Sequence, residues 1–240
     1  MPAPLIGITV HVQSPEGRES TLLLRSRYVE AVRRAGGLPV LIPLLPPTQA
    51  SELLDRVQGL LLTGGGRLGR GVLRMRELPS LEEINPLRYA FERALVLDAV
   101  RRDLPVLGIC RGMQTIAAVL GGRVANLAAQ EGGGESIAHY QQAPGGRPTH
   151  GIEIQRGSHL AAIIEGEEVQ VNSFHRQSVA DPGHDLAVSA RARDGVIEAV
   201  EGPGHLFLVG VQFHPEQLLN RDTRWLRLFE MFVRAARRAS

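Results

Sequence analysis

Short apolar runs alternate with amphipathic segments through the first half of the chain. The apolar runs are nearly continuous, which is typical of strands covered on both faces, and the segments between them repeat their apolar residues at helical spacing. This alternation predicts parallel strands joined by helices, and therefore an α/β fold with a doubly wound sheet. The predicted strands cover residues 5–10, 38–44, 59–63 and 105–110, and the predicted helices cover residues 21–35, 49–57, 86–102 and 111–120.

The second half of the chain has a different pattern. Short strand-like segments are separated by Gly, Asp and Pro turns, which predicts antiparallel strands added to the mostly parallel sheet. Residues 66–85 and 130–149 lack clear periodicity and are predicted loops, and without a convincing linker we expect one domain over residues 1–240. The predicted strands of this half cover residues 151–154, 169–172, 186–190, 196–200 and 207–213, and an amphipathic helix is predicted over 223–238.

Composition narrows the classes of protein that fit. A hydrophobic fraction of 43% over 240 residues suffices for a buried core, while the formal net charge of +2 and the aromatic fraction of 4% argue against nucleic-acid binding. No apolar stretch has the length of a membrane helix and no secretory signal opens the chain, so a cytoplasmic protein without membrane contact is expected. A single cysteine excludes an internal disulfide, and without Cys and His clustered at ligand spacing no metal is expected.

The only cysteine, Cys110, lies in a Gly-x-Cys-x-Gly sequence between a predicted strand and a predicted helix. The flanking Gly108 and Gly112 allow strand and helix to approach closely, so the central side chain is held in a tight turn at the sheet edge. Its sulfur then lies at a helix N-terminus, where unpaired N–H groups and the helix dipole favour the reactive thiolate. Most lone cysteines are inert apolar residues, but this turn predicts a nucleophile.

A histidine and a glutamate follow an apolar run near the end of the chain, at His214-Pro215-Glu216. Side chains alternate along a strand, so His214 and Glu216 leave its end on one side, and Pro215 favours extended geometry at His214. Taken alone, this tripeptide also fits a histidine that closes a strand and a glutamate in solvent. Together with the cysteine turn it predicts a triad in which Cys110 is the nucleophile, His214 the general base and Glu216 the orienting acid.

Five blocks with characteristic composition occur in order along almost the whole chain. They are Leu60-Leu-Leu-Thr-Gly-Gly-Gly66, Gly108-Ile-Cys-Arg-Gly-Met-Gln114, Val171-Asn-Ser-Phe-His-Arg-Gln177, Asp194-Gly-Val-Ile-Glu-Ala199 and Gly210-Val-Gln-Phe-His-Pro-Glu216. Together they resemble class I glutamine amidotransferases, and most closely the γ-glutamyl-γ-aminobutyrate hydrolase branch of peptidase C26 type. The resemblance implies a flavodoxin-like core and cofactor-free hydrolysis of a small γ-glutamyl amide through a γ-glutamyl thioester on Cys110.

The resemblance also assigns residues around the nucleophile. It implies that the backbone N–H groups of Gly65 and Arg111 receive the developing oxyanion, with Gly64 and Gln114 contacting the substrate. Gln114 lies four residues after Cys110 on the same predicted helix face and leans back towards it, which agrees with such a contact.

A second substrate segment implied by the resemblance is Ser173, Phe174 and His175, which match the residues that receive the α-amino and α-carboxylate groups. His175 fits a structural histidine equally well. The chain departs from the hydrolase branch at Arg67, where an Asp is usual, and at Arg88-Tyr89, where an Arg-Asp pair is usual. These departures leave the amine half of the substrate open.

Four arginines, Arg67, Arg70, Arg74 and Arg76, lie in the first long loop. They are either solvated charges or part of a lid that attracts an acidic substrate.

Three functions fit the sequence. The leading hypothesis is a stand-alone hydrolase, because a protein that only binds has no need for an intact Cys, His and Glu. A glutaminase subunit that supplies ammonia to a separate synthase and a non-catalytic binding homologue are the alternatives. A homodimer is the expected assembly.

Overall fold

The described residues form a nine-stranded mixed sheet and two further two-stranded sheets. The computed structural model describes residues 2–13, 19–65, 75, 77–127 and 137–238. The strands are β1 (Leu5–Thr9), β2 (His11–Gln13), β3 (Thr21–Leu23), β4 (Leu38–Ile42), β5 (Gly59–Leu62), β6 (Val106–Ile109), β7 (Arg123–Asn126), β8 (His150–Ile154), β9 (Glu168–Val171), β10 (Gln177–Asp181), β11 (Ala187–Ala192), β12 (Ile197–Glu201) and β13 (Leu208–Val211). The helices are α1 (Ser26–Arg34), α2 (Ala50–Leu54), α3 (Leu81–Ile84), α4 (Pro86–Arg101), α5 (Arg111–Val119), α6 (His159–Ile164) and α7 (Thr223–Arg238).

The sheet has a parallel core with antiparallel additions on one side. The core runs in the order β4-β1-β5-β6-β13, with every adjacent pair parallel. When only these five strands are numbered along the chain, the order is the 2-1-3-4-5 of flavodoxin-like folds. Strands β12, β11, β8 and β9 then extend the sheet with antiparallel pairs. The predicted fold class is confirmed.

Helices cover both faces of the parallel core, which explains its nearly continuous apolar strands. In β5, Leu61 belongs to the apolar cluster that contains Phe229 of α7. Its neighbours Leu60 and Leu62 belong to the cluster on the other face, with Leu95 of α4. Because alternate residues of a strand point to opposite faces, both faces must be apolar when both are buried.

The predicted helix over residues 21–35 is wrong at its start. Thr21–Leu23 forms β3, which pairs antiparallel with His11–Gln13, and α1 begins only at Ser26 after an extended Arg25. Consecutive leucines fit a strand as well as a helix. The pairing with β2 determines that this segment is a strand. The predicted helix over 49–57 is also shorter than expected, because Ala50–Leu54 is preceded by a 3-10 turn at Pro47–Gln49.

Further elements lie where no regular structure is predicted. Within the first predicted loop, Leu81–Ile84 is helical and is capped by Ser80, whose side chain accepts from the Glu83 N–H while the Glu83 carboxylate accepts from the Ser80 N–H. Strand β7 pairs antiparallel with β10 and forms a separate ribbon. In the described part of the chain, no helix combines the length and hydropathy required of a membrane span.

Candidate active site

Cys110 joins β6 to α5 in a backbone conformation that residues other than glycine rarely adopt. Its φ is 53° and its ψ is −104°, a conformation that costs about 1–3 kcal/mol and persists only where the surroundings hold it. The Cys110 N–H donates to the carbonyl of Val211 at 2.7 Å, which fastens the turn to β13. Because α5 begins at the next residue, Cys110 lies beside the unpaired N–H groups of a helix N-terminus, as the sequence predicts.

Close contact between helix and strand requires glycine on both sides of this turn. A Cβ atom on Gly112 would lie 2.3 Å from the Leu62 carbonyl oxygen, and one on Gly108 would lie 2.8 Å from the carbonyl carbon of Gly112. Both contacts involve backbone, which cannot rotate away as a side chain can. The glycines therefore set the approach of α5 to the sheet.

We expect Gly112→Ala to lower the free energy of unfolding by about 3 kcal/mol, because the added methyl group forces α5 away from β5. Urea denaturation measures the loss. Gly204→Ala is the matched control, since no heavy atom lies within 4 Å of a Cβ placed there, and we expect a change within about 0.5 kcal/mol. Equal losses at the two positions would contradict the steric explanation.

His214 and Glu216 are adjacent at the carboxyl end of β13. The Glu216 Oε1 atom lies 2.9 Å from His214 Nδ1, and the carboxylate is buried in the 3-10 turn Pro215–Gln217. The Asn172 side chain holds the histidine backbone from the other side, because its Oδ1 accepts from the His214 N–H at 2.8 Å and its Nδ2 donates to the His214 carbonyl at 3.0 Å. The imidazole is thus oriented by a buried carboxylate.

The register of the sheet brings the histidine to the cysteine. Strands β6 and β13 are parallel neighbours, with Ile109 opposite Val211, so Cys110 and His214 both follow the same edge. Burial alone lowers the pKa of the His214 imidazole, but the negative charges of Glu216 and Cys110 and hydrogen bonds to both outweigh burial and raise the pKa from 6.5 to about 10. Such an environment favours the protonated form of His214.

This pKa predicts how stability depends on pH. A group whose pKa rises on folding stabilises the folded state fully below its unfolded pKa and loses that contribution as pH rises through the folded pKa. We expect the stability advantage of the wild type over His214→Asn to be largest below pH 6.5 and to decline up to a pH of about 10. Urea denaturation across this range measures it.

Glu216→Gln provides the control for this pH dependence. The carboxylate is the largest influence that raises the pKa of His214, so in the Glu216→Gln background the decline should be smaller and should end at lower pH. An advantage that stays constant or grows with pH would contradict the charged pair.

The glycine loop after β5 faces the same site. A Cβ atom on Gly64 would lie 2.9 Å from His214 Cε1 and 3.7 Å from Cys110 Cβ, so only glycine fits there. The Gly64 N–H donates to Tyr28 Oη at 3.1 Å. The next residue, Gly65, is exposed. Its N–H and that of Arg111 are the two that the family resemblance assigns to an oxyanion, and this assignment stays a prediction.

Tyr28 is a site residue that sequence reasoning missed. Its Oη lies 3.5 Å from His214 Nδ1 while accepting the hydrogen bond from Gly64. Burial and the Glu216 charge raise the pKa of Tyr28 well above its usual range, so the phenol stays protonated. Tyr28 comes from α1, far from the other site residues in sequence, and no local motif marks it.

A buried network of ion pairs and hydrogen bonds holds the glycine loop in place. The Arg88 guanidinium donates to the carbonyl oxygens of Thr63 at 3.0 Å and Gly64 at 3.1 Å, and it pairs with Glu92 at 2.7 Å. Glu92 also pairs with Arg111. Burial alone would raise the pKa of Glu92, but the two guanidinium groups outweigh it and lower the pKa. The network joins the loop, α4 and the residue that follows Cys110.

The predicted substrate residues differ in what their side chains can reach. Gln114 Nε2 already donates to the Gln177 carbonyl at 2.7 Å and to Gln212 Oε1 at 3.0 Å, and among the described residues its Oε1 accepts no hydrogen bond. The Phe174 ring packs edge-on against His214, with ring centroids 5.9 Å apart.

Ser173 and His175 point elsewhere. Ser173 Oγ donates to the His139 carbonyl at 2.7 Å, and the His175 ring faces Glu198 in the interior. This contact with Glu198 supports the interpretation of His175 as a structural histidine. The four loop arginines, Arg67, Arg70, Arg74 and Arg76, lie outside the described residues, so the lid hypothesis stays a prediction.

Fold and site geometry together define a glutamine amidotransferase-like α/β protein with a cysteine turn at the carboxyl edge of its sheet. A model of the family described as Peptidase C26 matches residues 4–216. The chain belongs to the Peptidase C26 family and is a glutamine amidotransferase-like hydrolase.

Individual relatives agree with this membership. The Mycobacterium tuberculosis protein Rv2859c is 34% identical over 97% of this chain and 75% of its own length. The γ-glutamyl-γ-aminobutyrate hydrolase PuuD of Escherichia coli strain K12 is 30% identical over 97% of this chain and 93% of its own length. The fold is also that of the glutaminase domain of Trypanosoma brucei CTPS, solved with bound acivicin, at a TM-score of 0.64, with 17% identity over 98% of this chain and 94% of that chain.

Proposed function

We propose that this protein hydrolyses the γ-glutamyl amide bond of a small γ-glutamyl compound through a thioester on Cys110. The observation that carries the proposal is the meeting of three features at one sheet edge: a cysteine in a strained turn at a helix N-terminus, an adjacent histidine, and a buried carboxylate 2.9 Å from that histidine. The similarity to PuuD supports a γ-glutamyl amide as substrate.

In the proposed mechanism, the proton of the Cys110 thiol moves to Nε2 of His214, and the sulfur attacks the γ-carbonyl carbon. Glu216 accepts the hydrogen bond from Nδ1–H and stabilises the imidazolium. When the tetrahedral intermediate collapses, its C–N bond breaks and the amine leaves with the proton from His214. His214 then removes a proton from water, which attacks the thioester, so that glutamate is released and the thiol is regenerated.

The oxyanion of both tetrahedral intermediates is assigned to the N–H groups of Gly65 and Arg111. Each donor of this kind contributes about 3–4 kcal/mol to transition-state stabilisation. The Arg88 guanidinium holds the carbonyl groups of Thr63 and Gly64 through hydrogen bonds. The Arg111 side chain forms an ion pair with Glu92. The ionic network thereby positions both donors without touching the substrate.

The glutamyl half is assigned to the surface next to His214. Gln114 contributes its free Oε1, and the backbone of Gly64 and the ring of Phe174 form the walls. Ser173 and His175 contribute by holding this segment in place, because their side chains are engaged in the interior. The amine half of the substrate is left unassigned.

A substrate panel tests the proposal. The purified chain should release glutamate from γ-glutamyl amines and leave the isomeric α-glutamyl amides intact, and rapid quench with mass spectrometry should detect a γ-glutamyl adduct on Cys110. Cys110→Ala is the control for both readouts. Turnover of glutamine alone, and only after a synthase is added, would favour the glutaminase subunit; no turnover and no adduct would favour a binding homologue.

A further inference from the structure

Three buried histidines converge on one glutamate outside the proposed triad. His139 Nδ1, His150 Nε2 and His175 Nε2 lie 3.2, 3.2 and 3.4 Å from the same oxygen, Glu198 Oε1. Glu198 is fully buried, and none of the three histidines is more than 7% exposed. Strand β8 supplies His150, strand β12 supplies Glu198, and two loops supply His139 and His175. We call these four residues the histidine cluster.

The far nitrogens of two of these rings are held by acceptors. His139 Nε2 lies 2.9 Å from Asp194 Oδ2, and His175 Nδ1 lies 3.1 Å from the Gln177 carbonyl oxygen. Metal-binding histidines characteristically donate their outer N–H to a carboxylate or a backbone carbonyl in this way, which fixes the ring and its tautomer. In the neutral form of each ring, the inner nitrogen then presents a lone pair to the centre.

The inner atoms satisfy one another only in part. His150 Nε2 and Glu198 Oε1 lie within hydrogen-bond distance, at 3.2 Å. Because His175 Nδ1 faces a carbonyl oxygen, a neutral His175 carries its proton on Nδ1, and its Nε2 is then an acceptor that faces a carboxylate. Among the described residues, His175 Nε2 and Glu198 Oε2 are buried without a hydrogen-bond partner. Two acceptors 3.4 Å apart repel unless a proton or a metal cation lies between them.

The distances from Glu198 Oε1 to the three histidine nitrogens are compatible with a metal ion. Bonds of about 2.0–2.1 Å from a tetrahedral Zn²⁺ to nitrogen or oxygen place neighbouring ligand atoms about 3.3–3.4 Å apart, close to the distances from Glu198 Oε1. The ligand atoms of His139, His150 and Glu198 already lie within 4.8 Å of one another. We propose that the histidine cluster is a structural site for a divalent transition-metal cation of the Zn²⁺ type.

Such a site has a structural role. His139, His150 and Glu198 supply three ligands, and His175 Nε2, 3.4 Å from Glu198 Oε1, is the candidate for the fourth. A shell completed in this way leaves no position for a reacting water. The ion would join β8 and β12 to the segment 172–175, in which Asn172 holds the His214 backbone and Phe174 packs on its ring. The sequence predicts no metal because its ligands are spread from residue 139 to residue 198 rather than clustered at short spacing.

Metal binding by the full chain tests the proposal. The protein is stripped with a chelator, then loaded with Zn²⁺ both in its folded state and during refolding from urea, because the ligands are buried. After removal of free metal, mass spectrometry should find one equivalent of zinc per chain, and Co²⁺ loading should give the intense visible absorption of tetrahedral coordination. Absence of retained zinc by both routes, or an octahedral Co²⁺ spectrum, would overturn the site and leave a cluster held by protons alone.

Two variants locate the ion. His150→Ala and Glu198→Gln should lose the retained equivalent, whereas His184→Ala, which removes an exposed histidine outside the cluster, should keep it. Retention by all three variants places the metal elsewhere and overturns the assignment. If the cluster variants do not fold, the Co²⁺ spectrum of the wild type decides alone.

Discussion

Cys110→Ser is expected to lower kcat/KM for γ-glutamyl amides by roughly four orders of magnitude or more. The serine hydroxyl fits the turn, but the proposed mechanism depends on a sulfur that gives its proton to His214 and then attacks as the thiolate. A hydroxyl is far less acidic and gains little from the same surroundings. Initial rates of glutamate release measure the loss.

Because Cys110 is the only thiol in the chain, chemical modification gives an independent test. A thiol-specific electrophile should abolish activity in proportion to a single mass adduct on the wild type and should leave Cys110→Ser unmodified. Unfolding curves of the two proteins should agree closely, since serine and cysteine have similar size. Full activity in Cys110→Ser, or in fully alkylated wild type, would remove the nucleophile from the mechanism.

Local patterns were sufficient to predict the parallel core and the cysteine turn. Apolar runs such as 59–63 reveal strands buried on both faces, and the glycines on either side of Cys110 indicate close helix packing; both features are properties of a few consecutive residues. The approach of His214 to Cys110 also follows from local patterns, because strands that end at one edge bring their next residues together. The catalytic role of this pair remains a prediction.

Features that depend on distant contacts were not predictable. Tyr28 reaches His214 from α1, and Thr21–Leu23 forms a strand only because His11–Gln13 lies alongside it. The histidine cluster gathers its members from two strands and two loops. In each case the residue type fits several local interpretations, and only tertiary packing chooses among them.

Arg88 is the clearest example of a feature that depends on distant contacts, because the local sequence Arg88-Tyr89 does not predict its role. Its side chain is 1% exposed and donates to two backbone carbonyl groups of the glycine loop, while its ion pair with Glu92 is equally buried. Arg88 therefore combines a buried charge with direct hydrogen bonds to the candidate oxyanion loop.

We expect Arg88→Leu to lower the free energy of unfolding by about 3–5 kcal/mol, because it leaves Glu92 with only Arg111 and deprives two buried carbonyl groups of their donor. Urea denaturation measures this loss. Arg101→Leu on the same helix is the matched control: its pair with Asp98 is exposed, with the arginine side chain 73% accessible, and such pairs contribute at most about 1 kcal/mol.

The triple variant Arg88→Leu, Glu92→Met, Arg111→Leu separates the charges from the loop contacts, because Arg111 would be left buried without a partner if only the other two were replaced. Removing all three charges should restore part of the stability, since replacing a buried ionic group with apolar residues is often close to neutral. The carbonyl groups of Thr63 and Gly64 still lack Arg88, so the glycine loop stays loosened and kcat should remain low even where stability returns. If Arg88→Leu costs no more than Arg101→Leu, or if kcat recovers together with stability, the network is not what positions this loop.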